Sequence, residues 1–297
     1  ATPWKHSSYF TQGLLPRYVR EHGETTADWD VVFDARGHLD EPQTGESVPL
    51  GTVAVRDYLS RWTSTVPTTV DLDLGRVPTC GPALRYAAVL FVEKEGFGEL
   101  WAKVRLADRF DVAIMSTKGY SVTACRQLVE AFSRAQVPTF VLHDFDKDGL
   151  GILHTLRTDS ARFRYAVKPL VFDLGLRLSE VERFGLQSEA VEYRTDPRER
   201  LRRYGASPAE VAFLAGRAVG NGRWQGQRVE INALTSPQLV AYVEERLTAA
   251  GVAKVVPPTP VLEAAYRRAW RVAECLRAAA AVNGKDDAAI PVPGRLA

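Results

Sequence analysis

Three continuous apolar runs, each followed by a stretch of helical periodicity, constrain this chain more than any other feature. Ala87-Ala88-Val89-Leu90-Phe91-Val92, Val112-Ala113-Ile114-Met115 and Pro138 to Leu142 show no polar–apolar alternation. A strand with one wet face alternates, whereas a strand covered on both faces does not. Between the first two runs, Phe97, Leu100, Trp101 and Val104 fall at i, i+3, i+4 and i+7, one face of a helix. After the second, Ser121 can cap a helix whose apolar face is Val122, Cys125, Leu128, Val129 and Phe132. A helix from about Gly149 to Leu156 follows the third, and Tyr165 to Val171 reads as a fourth strand. Such repetition predicts an α/β, Rossmann-like fold: a mainly parallel four-stranded sheet with helices on both faces.

The flanks have another character. Residues 1–84 read as a mixed, β-rich N-terminal segment, with strand candidates at Trp29 to Phe33 and Thr69 to Leu74. Val53 to Trp62 reads as a short helix, and Pro78-Thr79-Cys80-Gly81-Pro82 breaks the pattern. Residues 85–175 form the α/β domain. Residues 176–282 read as mostly helical, because Ser207-Pro208 and Ser236-Pro237 each set a cap residue before Pro at the first helical position. Val261 to Ala281 is a long helix candidate, and residues 283–297 form a Gly- and Pro-containing flexible tail.

Composition removes several function classes. The chain has 297 residues, 45% apolar and 25% charged, as in ordinary globular proteins. No run of about 18 apolar residues predicts a membrane span, and no secretory leader is seen at the start. Cys80, Cys125 and Cys275 are far apart and form no CxxC pair, so neither a zinc knuckle nor a disulfide framework is expected. A cytoplasmic, nucleoid-associated location is the expectation. The net charge of +2 hides an asymmetry: residues 1–150 carry 16 basic against 20 acidic side chains, and residues 151–297 carry 22 against 16. An acidic half beside a basic half suits a metal site next to a phosphate-binding surface, and suits equally two solvated surfaces.

The acids that matter sit at strand ends. Glu93 ends the first run in Phe91-Val92-Glu93-Lys94-Glu95-Gly96, and Asp144, Asp146 and Asp148 follow the third in His143-Asp144-Phe145-Asp146-Lys147-Asp148-Gly149. Ligands of open α/β sheets bind just outside the carboxyl ends of the strands. If the two strands are neighbours, Glu93 converges with Asp144 and Asp146. Carboxylates held that close repel one another unless some protonate or a cation joins them. Mg²⁺, or Mn²⁺ in its place, suits an oxygen-only set completed by water and substrate phosphate. A calcium loop of EF-hand type would need a Glu at its twelfth position, where Thr155 stands, and a helix ahead of it. A solvated acidic turn remains the bland alternative for Asp144-Phe145-Asp146 alone.

These residues resemble a known family. Val92-Glu93-Lys94-Glu95, about fifty residues ahead of Asp144-x-Asp146-x-x-Gly149, is similar to the Toprim domain of topoisomerases, bacterial primases and OLD-type nucleases. Lys118-Gly119-Tyr120 followed by Arg126 resembles a stretch of the A subunit of topoisomerase VI and of its meiotic double-strand-break relatives. Pro78 to Pro82 and Gln227-Arg228-Val229-Glu230-Ile231-Asn232-Ala233-Leu234 resemble the flanking motifs of that family. The likeness spans roughly residues 70–245. Ser121-Val122 departs from the family's Pro-Asp, and no tyrosine-bearing winged-helix domain is recognisable among the roughly 85 residues before the Toprim pattern.

The resemblance implies a Mg²⁺ site in which Asp144 and Asp146 hold the ion, with Glu93 as ligand or general acid/base. Asp148 and Glu95 are candidates for a second ion. Lys118 and Arg126 are candidate phosphate contacts, and Arg194, Arg198, Arg200, Arg202 and Arg203 could track a DNA backbone or form a solvated helix face. Tyr9, Tyr18 and Tyr58 are the available nucleophile candidates, each with a packing role as its alternative. The implied partners are DNA, a second copy in a homodimer, and a separate ATPase chain, since no GxxxxGK[ST] occurs. Three readings stay open: cleavage by tyrosine, hydrolysis by water as in defence nucleases, and DNA binding without catalysis.

Overall fold

The computed structural model describes residues 10–33, 35–42, 45–62, 81–83, 85–117, 123–255 and 259–283. Its main sheet comprises β1 (His38–Asp40), β2 (Ser47–Pro49), β3 (Ala88–Val92), β4 (Val112–Ser116), β5 (Thr139–Leu142) and β6 (Val171–Asp173), in the order β2-β1-β4-β3-β5-β6. The four strands β4, β3, β5 and β6 run parallel, and β1 joins β4 antiparallel, so the N-terminal segment lends two short strands to one edge. That segment also forms helices Leu15–Glu21 and Thr52–Ser60.

The absence of alternation in β3 follows from two cores. Ala88, Leu90 and Val92 enter one buried cluster, with Leu239, Tyr242 and Val243 of helix Ser236–Ala249 and Val211 and Leu214 of helix Pro208–Ala215. Val89 and Phe91 point into the other, with Val55 and Tyr58 of helix Thr52–Ser60 and Leu128 and Phe132 of helix Thr123–Arg134. Successive side chains alternate across the sheet, and both faces are covered.

Several elements differ from the sequence reading. Trp29 to Phe33 forms no strand; Phe33 instead exchanges hydrogen bonds with Thr52 at the start of its helix. The fourth parallel strand begins at Val171, after the loop that carries Tyr165. Thr69 to Leu74 and the expected cap Ser121 lie outside the described residues. The region after residue 175 is helical as expected, and it also carries an antiparallel sheet: β7 (Glu189–Tyr193), β8 (Arg217–Gly220) and β9 (Arg223–Arg228), ordered β7-β9-β8. Helix Thr259–Asn283 follows. Among the described residues no helix is long and apolar enough to cross a membrane.

Candidate functional site

Register brings the acids together. Val92 of β3 lies opposite Leu142 of β5, and the Glu93 N–H donates to the Leu142 carbonyl (3.1 Å) where both strands end. Two residues past Leu142, the Asp144 N–H donates to Glu93 Oε2 (3.1 Å). The expected convergence of Glu93 with the Asp144 segment is therefore a direct contact.

The two halves of Asp144-Phe145-Asp146 are held differently. Asp144 is buried; its Oδ1 accepts the Ile231 N–H (2.7 Å) and its Oδ2 pairs with Lys94 Nζ (3.0 Å). Lys94 also reaches Glu230 Oε2 (2.9 Å), and Glu230 Oε1 meets Arg228 (3.1 Å). Phe145 and Val229 exchange both backbone hydrogen bonds, at 2.8 and 3.0 Å, which fastens the segment after β9 to this turn. Asp146 is held instead by the helix that follows it. It sits in extended backbone as the N-cap of helix Lys147–Arg157, and its Oδ1 accepts the Gly149 N–H (2.6 Å).

Glycine is required where helix and strand end press together. A Cβ on Gly149 would stand 2.3 Å from the Asp144 carbonyl oxygen, and one on Gly175 would stand 2.3 Å from His143 Nε2. His143 is fully buried between them, its Nδ1 2.7 Å from the Asp144 carbonyl and its Nε2 3.1 Å from Asp173 Oδ1. His143, Asp173, Lys94 and Glu230 all support the acid end, and none was singled out by strand-end reasoning. The Gln227–Leu234 motif was the one signal that could have pointed to Glu230.

The electrostatics separate the acids. Burial, then the Asp144 carboxylate, pushes the Glu93 carboxyl up to about 7. Burial also raises Asp146; the charges of Asp144 and Asp148 add to it, against the Gly149 N–H. For Lys94, burial disfavours the ammonium, but the bonds and charges of Glu230 and Asp144 outweigh it and raise its pKa. Glu230 is lowered, first by its hydrogen bond from Lys94.

Among the described residues no three His, Cys, Asp or Glu side chains already close into a metal cage. Mg²⁺ does not need one, since it keeps waters and is held by one or two carboxylates plus phosphate. Glu93 and Asp146 fit that chemistry: two desolvated oxygen donors, each pushed upward by a neighbouring carboxylate, whose repulsion a cation relieves. Asp144 is different, because an amide and an ammonium already engage its two oxygens. Asp148 is exposed and pairs with Lys147 (3.2 Å).

Other expected site residues fall elsewhere. Arg126 is buried and its guanidinium is engaged by Ser160 Oγ and the Thr158 carbonyl, under the rings of Phe163 and Tyr165. A guanidinium buried and engaged in this way braces the loop above it and is not offered to a phosphate, which corrects its expected role. Tyr58 is fully buried; its hydroxyl meets Glu41 and Tyr86 (2.8 Å), and burial raises its pKa far above the ordinary range. It is a packing residue and not a nucleophile. Tyr18, in helix Leu15–Glu21, stacks on Trp29 (5.7 Å). Arg198 is spent on Asp196 and on the face of Trp224 (4.2 Å). Lys118, Tyr9 and the Glu95 side chain lie outside the described residues.

A parallel α/β sheet with a glutamate after one strand and Asp-x-Asp after its neighbour defines a Toprim domain. Residues 88–248 match the family model for the Toprim domain of topoisomerase 6 (its A subunit) and Spo11, and the chain belongs to that family. A comparison with curated proteins returns no match.

Proposed function

We propose that the chain is a Mg²⁺-dependent DNA-cleaving protein of topoisomerase VI A type, acting on phosphodiester bonds at the joined ends of β3 and β5. The observation that carries this reading is the Glu93–Asp144 contact, which unites two parallel strand ends and sets Asp146 beside them. Family membership supports DNA as the substrate, and with it a homodimer and a separate ATPase chain as partners.

Glu93 and Asp146 would hold the ion, Mg²⁺ or Mn²⁺. When bound, the ion neutralises charge on a phosphate oxygen and on the oxygen that departs. In its alternative role, with Asp146 alone on the ion, Glu93 has its carboxyl at about 7 and can hold a proton near neutral pH and pass it to an oxygen, as a general acid or base must. Asp144, fixed by Lys94 and the Ile231 amide, anchors the turn and keeps Glu93 aimed through its own N–H. The burial of Tyr58 removes one tyrosine candidate, and hydrolysis by water is the second reading.

Supercoiled plasmid incubated with the protein and Mg²⁺ or Mn²⁺ tests both. Wild type should nick or linearise it, and Glu93→Gln and Asp146→Asn should each lower the rate roughly 10²-fold or more. Product covalently attached to protein indicates tyrosine chemistry, and free ends indicate water. A wild-type protein that makes neither product and binds no divalent ion would sink the proposal.

A further inference from the structure

Tyr193 ends β7, paired with Trp224 of β9, and is 8% exposed. Its hydroxyl is sealed from solvent and has no hydrogen-bond partner among the described residues. A buried hydroxyl is ordinarily satisfied, so an orphan is a sign of an absent oxygen. Its surroundings say what kind. The charges of Asp146 and Asp148 both act on the phenol, and Lys147, which pairs with Asp148, lies 5.7 Å from the ring centroid. The hydroxyl thus lies under the influence of two carboxylates without bonding to either. Those carboxylates also oppose its ionisation: burial first, then Asp146 and Asp148, push the phenol up to about 12. Such a phenol keeps its proton and donates it.

We infer that Tyr193 is a ligand-binding residue whose hydroxyl donates a hydrogen bond to an oxygen held at the Asp146–Asp148 end of the site. The oxygen belongs to a phosphodiester or to a water on the divalent ion. This inference rests on the metal-site reading above and adds a donor from a different sheet. Arg228 of β9 also acts electrostatically on Tyr193 and pairs with Glu189 and Glu230, so this face of the small sheet borders the acids.

Tyr193→Phe in the full chain removes only the hydroxyl. Its melting temperature without metal should equal or exceed that of wild type, because an unpaired buried oxygen is lost. Mn²⁺ binding by calorimetry, and binding of a short DNA duplex in non-cleaving Ca²⁺, then read out the ligand. Duplex affinity about tenfold weaker with Mn²⁺ affinity unchanged assigns the oxygen to phosphate; Mn²⁺ affinity weakened by a similar factor assigns it to metal-held water. Unchanged affinity for both overturns the inference, as does a covalent Tyr193–DNA adduct. Asp146→Asn runs beside it: if wild type and Asp146→Asn both fail to bind Mn²⁺, the metal-site reading falls and takes this one with it. If wild type binds, Asp146→Asn fails and Tyr193→Phe matches wild type for both ligands, the role of Tyr193 alone is refuted.

Discussion

Two acidic clusters in this protein solve the same problem in opposite ways. Around Glu41, the carboxylate meets Arg85 (3.0 Å), the Gly81 N–H (3.1 Å) and Tyr58, which itself meets Tyr86. The carboxylate is matched from within, and the result ties the N-terminal strands to helix Thr52–Ser60 and to the approach to β3. Around Glu93 the balance is incomplete. Lys94 neutralises Asp144 and Glu230, while Glu93 and Asp146 stay desolvated beside like charges. A carboxylate matched by its own chain builds structure; one left unmatched in the same setting carries a repulsion that a cation would relieve.

Four measurements would break or sharpen that contrast. Glu41→Ala should be the most damaging, since it removes the buried carboxylate that Arg85, the Gly81 N–H and the Tyr58 hydroxyl all share; a loss of about 3–5 kcal/mol in urea unfolding is expected. A loss under about 1 kcal/mol would show that the cluster is not balanced from within. Glu93 should behave in the opposite sense. Its carboxyl lies at about 7 when folded against 4.5 ordinarily, so the folded chain keeps a proton that the unfolded chain releases. In the presence of chelator, stability should therefore fall by roughly 2 kcal/mol as pH rises from 4.5 to 7 and stay low above that. Glu93→Gln should flatten this profile and be the more stable protein at pH 8.

Lys94→Met should cost about 1–2 kcal/mol in thermal unfolding, because it leaves Asp144 and Glu230 without their shared counter-ion. No loss would mean that Arg228 and the Ile231 amide suffice. Asp146→Asn should shift stability least, within about 0.5 kcal/mol, as asparagine also caps the helix. A large loss there would make Asp146 a structural residue like Glu41.

What could be read from the sequence follows the burial of each strand. β3, β4 and β5 are covered on both faces, so their apolar runs were unmistakable, and the acids after β3 and β5 came with them. Gly149 was legible as part of the Asp-x-Asp-x-x-Gly spacing, and its crowding against Asp144 explains why that position resists a side chain. The small sheet was not legible. Arg223-Trp224-Gln225-Gly226-Gln227-Arg228 has no apolar rhythm, and β8 is exposed along its length, so backbone pairing and not core burial makes these strands. Lys94 and Glu230 are 136 positions apart, and no local pattern announces their contact. Tyr193 has the same invisibility. Arg126 misled for a related reason: a motif fixes a residue type, and the loop around it decides whether its charge is spent.

The Phe145–Val229 bridge has a consequence for when the site can exist. The ribosome makes the chain from its N-terminus, and the strand ends carrying Glu93 and Asp144 are finished well before the partners that fasten them. Until residues 228–231 emerge, the turn has no Val229 to pair with, Lys94 no Glu230 to hold, and Asp144 no Ile231 amide. Contacts of such long sequence separation close late, after the loop-closure entropy has been met. A nascent or prematurely ended chain therefore carries Glu93, Asp144 and Asp146 without the clasp that aligns them, and the acid end is assembled only once residues 228–231 have emerged.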